Sequence, residues 1–263
     1  MNRLREIWDG RPTYGGWCTM PGSVNAEIVG RAGYDWVCVD TQHGLIGYDS
    51  MLVMLQALTA AGSPTMVRVQ WNEPASIMKA LDAGAEGVIV PMVNTVEEAK
   101  AAVGACRYAP DGYRSMGPIR PRMLDPKYSV DGGKEVVCAV MCETAEAMEN
   151  LDAILEVPGV DAVFVGPNDL AVSLGIRGSS YAGQDSRHHA AMEQIVAACR
   201  ARGIIAGIMC GTPETAEHWR QAGFRMMAID SDSSMLTKAA QADARRCREL
   251  AAEAAEAAAE PAS

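Results

Sequence analysis

The sequence predicts a single α/β domain, a (β/α)8 TIM barrel. Three observations carry this. Eight short apolar runs of strand type are spread along 263 residues, and helical patterns separate them almost throughout. The length suits one such barrel. Neither GxGxxG nor GxxxxGKS/T occurs, which argues against dinucleotide-binding and P-loop folds.

The strands are read at residues 14–18, 36–39, 65–69, 87–90, 136–142, 162–165, 204–209 and 226–229. Most are near-continuous runs of Val, Ile, Met, Ala or Cys, as parallel strands buried on both faces require. Helices are read at 24–32, 48–60, 74–83, 96–105, 144–156 and 190–202, with Gly33 and Gly84 as stop signals after the first and third. Two polar stretches break the rhythm, residues 110–133 and 175–185, and long loops are often functional. A helix rich in Ala, Glu and Arg starts near Met235. The domain is taken as residues 1–250, and 251–263 as an Ala/Glu-rich tail that frays.

Hydrophobic residues make up 49% and aromatics only 5%, so Ala, Val, Met and Leu must fill the core. A net charge of -10 disfavours nucleic acid and anionic membrane as partners. No apolar run approaches the ~20 residues of a membrane helix, and residues 1–10 lack the apolar segment of a signal peptide. The eight cysteines form no CxxC pair and mostly sit in apolar runs, which fits a reduced, cytoplasmic protein.

In barrels of this kind chemistry sits at the carboxyl ends of the strands. Glu143 and Asp169, 26 positions apart, each follow an apolar run and bracket one strand-helix-strand unit. Two acids converging at that edge suit a hard divalent cation held by oxygen. Each could also cap the helix that follows. That reading explains the pair less well, because Gly166-Pro167 fixes the backbone just before Asp169. After the second strand comes Asp40-Thr41-Gln42-His43-Gly44, where Asp40 and His43 could form a carboxylate-oriented general base, or a loop His beside a capping Asp. Arg68 interrupts an apolar strand, so it either forms a structural ion pair or grips a carboxylate or enolate oxygen. His188, His189 and His218 are read as helix-surface residues. None of the five lysines falls at a strand end, which disfavours imine chemistry. The loops 210–214 and 230–233 carry acids where barrels often bind phosphate, so a small unphosphorylated substrate is expected.

With these residues in place the chain resembles the HpcH/HpaI aldolases, the class II metal-dependent pyruvate aldolases. The resemblance runs from about residue 16 to 236. It is carried in order by Pro21-Gly22-Ser23, Trp36 to Gly44, Gly87 to Val93, Arg107-Tyr108 with Gly117-Pro118, Glu143-Thr144, and Val165 to Leu170. It implies Glu143 and Asp169 as ligands of Mg²⁺, Mn²⁺ or Co²⁺, and His43 as acid/base with Asp40 as its partner. It further implies that Arg68 holds the pyruvate unit and that backbone around Gly166, Pro167, Asn168 and Asp169 meets the substrate carboxylate. The implied reaction is reversible cleavage of a 4-hydroxy-2-oxo acid to pyruvate and an aldehyde through a metal-stabilised enolate, as in 4-hydroxy-2-oxoheptanedioate and 2-dehydro-3-deoxyglucarate aldolases. A homo-oligomer, trimer or hexamer, with the C-terminal helix packed on a neighbouring subunit, is also implied.

Two departures stand out. Many relatives carry Glu where Gln42 stands and Gln where Met141 stands. Met141 lies two residues before Glu143 and should share its face of the strand. The loop from Arg114 to Arg122 is the candidate for reading the aldehyde. An acyl-CoA lyase of the citryl/malyl type and a non-catalytic barrel subunit are the alternatives. The acidic composition weighs against coenzyme A, and the intact Asp40, His43, Arg68, Glu143 and Asp169 weigh against a silent barrel.

Overall fold

The computed structural model describes residues 2–8, 10–176 and 185–259. The strands are β1 (Thr13–Cys18), β2 (Trp36–Asp40), β3 (Thr65–Arg68), β4 (Gly87–Val90), β5 (Val137–Met141), β6 (Ala162–Val165), β7 (Ile205–Met209) and β8 (Met226–Ser231). They close into one parallel barrel in sequence order, with β8 pairing back onto β1. The fold expected from the sequence is present, with strand bounds within two residues of those read.

The helices of the first half are α1 (Arg3–Trp8), α2 (Ser23–Gly30), α3 (Tyr48–Ala60), α4 (Pro74–Asp82), α5 (Val96–Cys106), α6 (Ile119–Leu124) and α7 (Val130–Lys134). Those of the second half are α8 (Ala145–Glu149), α9 (Leu151–Leu155), α10 (Pro167–Ser173), α11 (Ser186–Arg202), α12 (Pro213–Ala222) and α13 (Asp232–Ala259).

Three stretches differ from the sequence reading. Residues 144–156 form two helices broken at Asn150, whose Nδ2 donates to the Asn94 carbonyl at 2.8 Å. That bond ties the break to the loop after β4. The stretch 110–133 contains α6 and α7, too short to show a helical period. Helix α13 starts earlier than Met235 and stays helical through Ala259, so the part of the expected tail at 251–259 is helix. The second polar stretch, 175–185, falls mostly outside the described residues.

The charged N-terminus forms α1. Leu4 and Trp8 are buried inside the barrel with Ile89 and Val137. Arg3 bonds Glu86 and the carbonyls of Gly62 and Ser63, all near the amino ends of strands. So α1 closes that end of the barrel.

Period-two alternation sorts every strand. Trp36, Cys38, Met66, Ile89, Ala139 and Phe164 point into the barrel. Val37, Val39, Val67, Val88, Val140 and Val163 point out against the helices. Trp36 fits inside because its register partner on β1 is Gly15, where a Cβ would come 2.3 Å from the indole. Continuing the inward series by two residues gives Asp40 after Cys38, Arg68 after Met66, Gly166 after Phe164 and Asp230 after Ala228. The same parity that builds the core therefore delivers polar residues to the carboxyl end.

No helix among the described residues is long and apolar enough to cross a membrane. All eight cysteines are free, and only Cys247 is exposed. Burial pushes the Cys142, Cys199 and Cys210 thiols up to about 12, so none is a thiolate near neutral pH.

Candidate active site

The carboxyl ends of the strands open into a cavity of about 560 Å³. Asp40, His43, Arg68 and residues 166–169 line one side of it.

Asp40 and Arg68 are register partners on β2 and β3, and both face inward. Arg68 Nε donates to Asp40 Oδ1 at 2.9 Å, and Nη2 donates to Oδ2 at 2.5 Å. Such forked, charge-assisted pairs are strong and directional. Trp17 Nε1 also donates to Oδ2, at 3.2 Å. Burial alone would raise the Asp40 carboxyl, but the bonds and charge of Arg68, helped by Trp17, hold it below its ordinary value. Nη1 of Arg68 has no protein hydrogen bond among the described residues. The guanidinium lies 5.1 Å over the Trp17 ring, and Trp17 stacks on Phe164 at 5.4 Å. These two aromatics form an apolar floor under the cation. Both readings of Arg68 thus describe it: one edge makes the ion pair and the other is left to the cavity.

His43 is exposed at the rim of the cavity. Asp40 Oδ1 accepts the backbone N–H of His43 at 3.2 Å and of Gln42 at 3.0 Å. No hydrogen bond joins the His43 ring to Asp40 among the described residues. Asp40 thus fixes the loop that carries His43, and its carboxylate is otherwise committed to Arg68.

Glu143 and Asp169 meet at Gly166. A Cβ placed on Gly166 would come 2.5 Å from Glu143 Oε2 and 3.3 Å from Asp169 Oδ2. Both carboxylates therefore face one small space that exists because residue 166 has no side chain. Asp169 lines the cavity, while Glu143 sits behind Gly166 and is only 2% exposed. Burial raises the Glu143 carboxyl to about 7; the Asp169 charge adds to this, and the Met92 N–H and Arg68 oppose it. Met92 N donates to Glu143 Oε1 at 2.9 Å from a left-handed backbone with φ of 55°. A non-glycine residue held in that region stores strain, and such strain gathers at functional sites.

This donor set fits a divalent cation. Two carboxylates crowd one space, and burial makes the uncompensated charge of Glu143 costly. No group of three or more His, Cys, Asp or Glu suited to a metal occurs among the described residues. Two protein carboxylates, with substrate and water completing the shell, is how Mg²⁺-type ions are commonly held. Gly166 has φ of -90°, which alanine adopts freely, so the strain of Gly166→Ala falls on the tip of the Glu143 side chain, which must move away from the methyl. That methyl should weaken Mn²⁺ binding about tenfold or more, read by titration calorimetry. An unchanged affinity would place the cation elsewhere.

Pro167 opens α10, leaving the N–H groups of Asn168 and Asp169 without intrahelical acceptors at the cavity wall. The Pro167 carbonyl is bonded to His188 Nε2 at 2.9 Å. His188 is 1% exposed, which corrects its reading as a surface residue: α11 packs it under the 166–169 segment, and burial lowers its pKa. His218 is exposed, and His189 stacks on Trp219. Met141 lines the cavity, its Cε 3.3 Å from the same Gly166 position. Gln42 lies off the cavity wall with Oε1 buried and unpartnered among the described residues.

Arg114 and Arg120 do not reach the cavity within this chain. Arg114 pairs with Asp82 at 2.6 Å and stacks on Tyr108. Arg120 donates to the Ala83 carbonyl and to Thr59, at the far ends of α4 and α3. Both bind the face opposite the cavity because 110–133 leads into the start of β5. In the sequence Lys238 reads as a helix lysine away from any strand end, yet the first turns of α13 bring it to the cavity. The polar run Asp230 to Ser234 at the end of β8 was the signal for that side.

The sequence matches the HpcH/HpaI aldolase/citrate lyase family over residues 17–239. It is 40% identical over 250 residues to the hydroxypyruvate/pyruvate aldolase of Rhizorhabdus wittichii, covering 93% of this chain and 99% of that protein. It is 36% identical over 241 residues to a 4-hydroxy-2-oxo-heptane-1,7-dioate aldolase of Escherichia coli, covering 90% and 91%. Among solved structures, an HpcH/HpaI aldolase/citrate lyase family protein of Burkholderia cenocepacia superposes with a TM-score of 0.88 at 32% identity, over 94% of this chain and 100% of that one. The named relatives are aldolases, which are carbon–carbon lyases. On the span and strength of these matches, the chain belongs to the HpcH/HpaI aldolase/citrate lyase family.

Proposed function

We propose that the protein is a divalent-metal-dependent aldolase that reversibly cleaves a 4-hydroxy-2-oxo acid into pyruvate and an aldehyde. The observation that carries this is the convergence of Glu143 and Asp169 on the space at Gly166, beside an inward-facing Arg68. The activities named for its relatives support it.

Glu143 and Asp169 would hold Mg²⁺, Mn²⁺ or Co²⁺, which when bound supplies Lewis-acid stabilisation of negative charge on the 2-oxo acid. Two carboxylates do not choose among the three. Arg68 offers Nη1 to the 2-oxo oxygen and adds a fixed positive charge where enolate charge develops. Asp40 holds that guanidinium by two bonds, so it is placed before substrate arrives. The N–H groups of Asn168 and Asp169 receive the substrate carboxylate. His43 takes the 4-hydroxyl proton, directly or through a water. The C3–C4 bond then breaks, its electron pair becomes the enolate, and the aldehyde departs. A proton delivered to C3 gives pyruvate, and the reverse sequence makes the bond.

A homo-oligomer belongs to the same proposal. Helix α13 leaves the barrel with its side chains exposed from Leu236 to Glu256, as a helix awaiting a neighbouring subunit would be. Light scattering of the full chain should give three or six copies, and a monomer would refute this part.

The test is pyruvate release from a panel of 4-hydroxy-2-oxo acids, with EDTA and then metal add-back. Release abolished by EDTA and restored by one of the three metals is expected. Release indifferent to EDTA would contradict the role given to Glu143 and Asp169, and no release from any acid would sink the aldolase reading.

A further inference from the structure

The cavity has a second half that the chemistry above does not use. It lies between the β7–α12 and β8–α13 connections and is lined by Thr212, Thr215, Asp230, Ser231, Ser234 and Lys238. The whole cavity, about 560 Å³, is far larger than a three-carbon acid requires and lies within the range of small-molecule sites. The unused half is therefore available to the other end of the substrate.

Its chemistry is specific. Thr212 and Thr215 hydroxyls bond each other at 3.1 Å, and the Ser231 hydroxyl bonds Ser233 at 3.2 Å. The threonine pair can turn its direction to suit a ligand, whereas Ser231 donates to Ser233, whose own proton goes to Thr19 and so toward Asp232, leaving Ser231 Oγ an acceptor on the cavity side. The Ser234 hydroxyl has no protein hydrogen bond among the described residues, although its backbone N–H donates to Ser231 Oγ. Beside these, Lys238 Nζ sits 2.6 Å from Asp230 Oδ2 and 3.3 Å from the Gly211 carbonyl. The ammonium is thus already paired, and its partner carboxylate is the less exposed of the two, 15% against 58%. The other nearby acid, Asp232, is taken up by Thr19, Met20 and Asn25.

An arm of this kind offers donors and acceptors together and no unpaired cation. A hydroxyl group, which both donates and accepts, can use every one of these groups. A second carboxylate would find its cation occupied and Asp230 repelling it. We propose that this half of the cavity binds the hydroxyl groups of a neutral polyhydroxylated aldehyde, with Ser234 and the Asp230–Lys238 pair as its specificity determinants. The proposal rests on the aldolase reading and names the aldehyde class for it.

The experiment uses the full-length, metal-loaded protein with pyruvate as donor. D-glyceraldehyde and succinic semialdehyde serve as neutral and anionic acceptors. The parent should favour D-glyceraldehyde in kcat/KM by about tenfold or more, since a site built for hydroxyls rejects a ligand that leaves them unpaired. Ser234→Ala should lower that ratio about fivefold through the D-glyceraldehyde KM. Asp230→Asn, which frees the Lys238 charge, should lower it by a similar factor through a gain with succinic semialdehyde. Exchange of pyruvate methyl protons into D₂O by the parent reports enolate formation without any aldehyde. Exchange with a preference for succinic semialdehyde, or with a ratio unmoved by both variants, would overturn the subsite while leaving the aldolase reading intact. Absence of exchange would overturn both.

Discussion

A Glu143→Gln variant should lose about 10³-fold or more in kcat and yet, free of metal, be more stable than the parent at pH 8. The first effect follows from removing one of the two carboxylates proposed to hold the cation, whose charge stabilisation is worth several kcal/mol. The second follows from the Glu143 environment. Burial, with Asp169 nearby, raises its carboxyl from 4.5 to about 7. A group with a raised folded-state pKa gives stability that is complete below its ordinary value and is lost as pH rises through about 7. In the EDTA-treated parent that loss should amount to about 2–3 kcal/mol between pH 5 and 8. Glutamine keeps an oxygen for the Met92 N–H but carries no charge, so the variant should lack this dependence. Urea melts at the two pH values read the difference. Equal pH dependence in parent and variant would mean that Glu143 is not a strained anion. Full activity in the variant would mean that it is not a ligand.

Arg68→Met should destabilise the fold by about 3–5 kcal/mol and cost 10²-fold or more in turnover. Asp40 is 1% exposed and would lose its two strongest bonds, leaving a buried charge without compensation. In the parent the depressed Asp40 carboxyl gives stability that is present above its ordinary value of 3.8 and lost as pH falls below it. In the variant burial, the largest influence on Asp40, is opposed only by the N–H groups of Trp17, Gln42 and His43, so the carboxyl should rise and the protein should gain stability on mild acidification. The double variant Asp40→Asn/Arg68→Met removes both charges and should recover most of the stability, because a neutral buried pair escapes the desolvation penalty. It should recover no activity, because the positive charge at the 2-oxo oxygen is still absent. This non-additivity separates the two roles of Arg68, structural toward Asp40 and electrostatic toward substrate. Additive stability losses would show that the two residues do not act as a pair.

The barrel and several of the residues at its cavity were legible in the sequence because one simple rule governs both. Parallel strands buried on two faces must read as apolar runs, and their ends mark the edge where ligands bind. Parity then carries the inward series one step beyond the core, to Asp40, Arg68, Gly166 and Asp230. Even Met141 could be aimed at the cavity this way. The family resemblance added roles, and the matched relatives show the family itself.

Other features had no local signal. The helix α1 is about one and a half turns, half charged and half apolar and too short to show a period, and only the open end of the barrel gives Leu4 and Trp8 something to bury against. His188 looks like its neighbour His189, yet helix rotation puts one under Pro167 and the other against Trp219. The commitment of Asp40 to Arg68 rather than to the His43 ring depends on register across two strands 28 residues apart. The meeting of Lys238 with Asp230 depends on the angle at which α13 leaves β8. What the sequence determined by itself was periodic burial along each strand, a one-dimensional property written in consecutive residues. What only the tertiary structure decided was which polar groups face each other across the cavity. Those pairings are set by strand register and helix orientation, which long-range packing fixes and no short stretch of sequence contains.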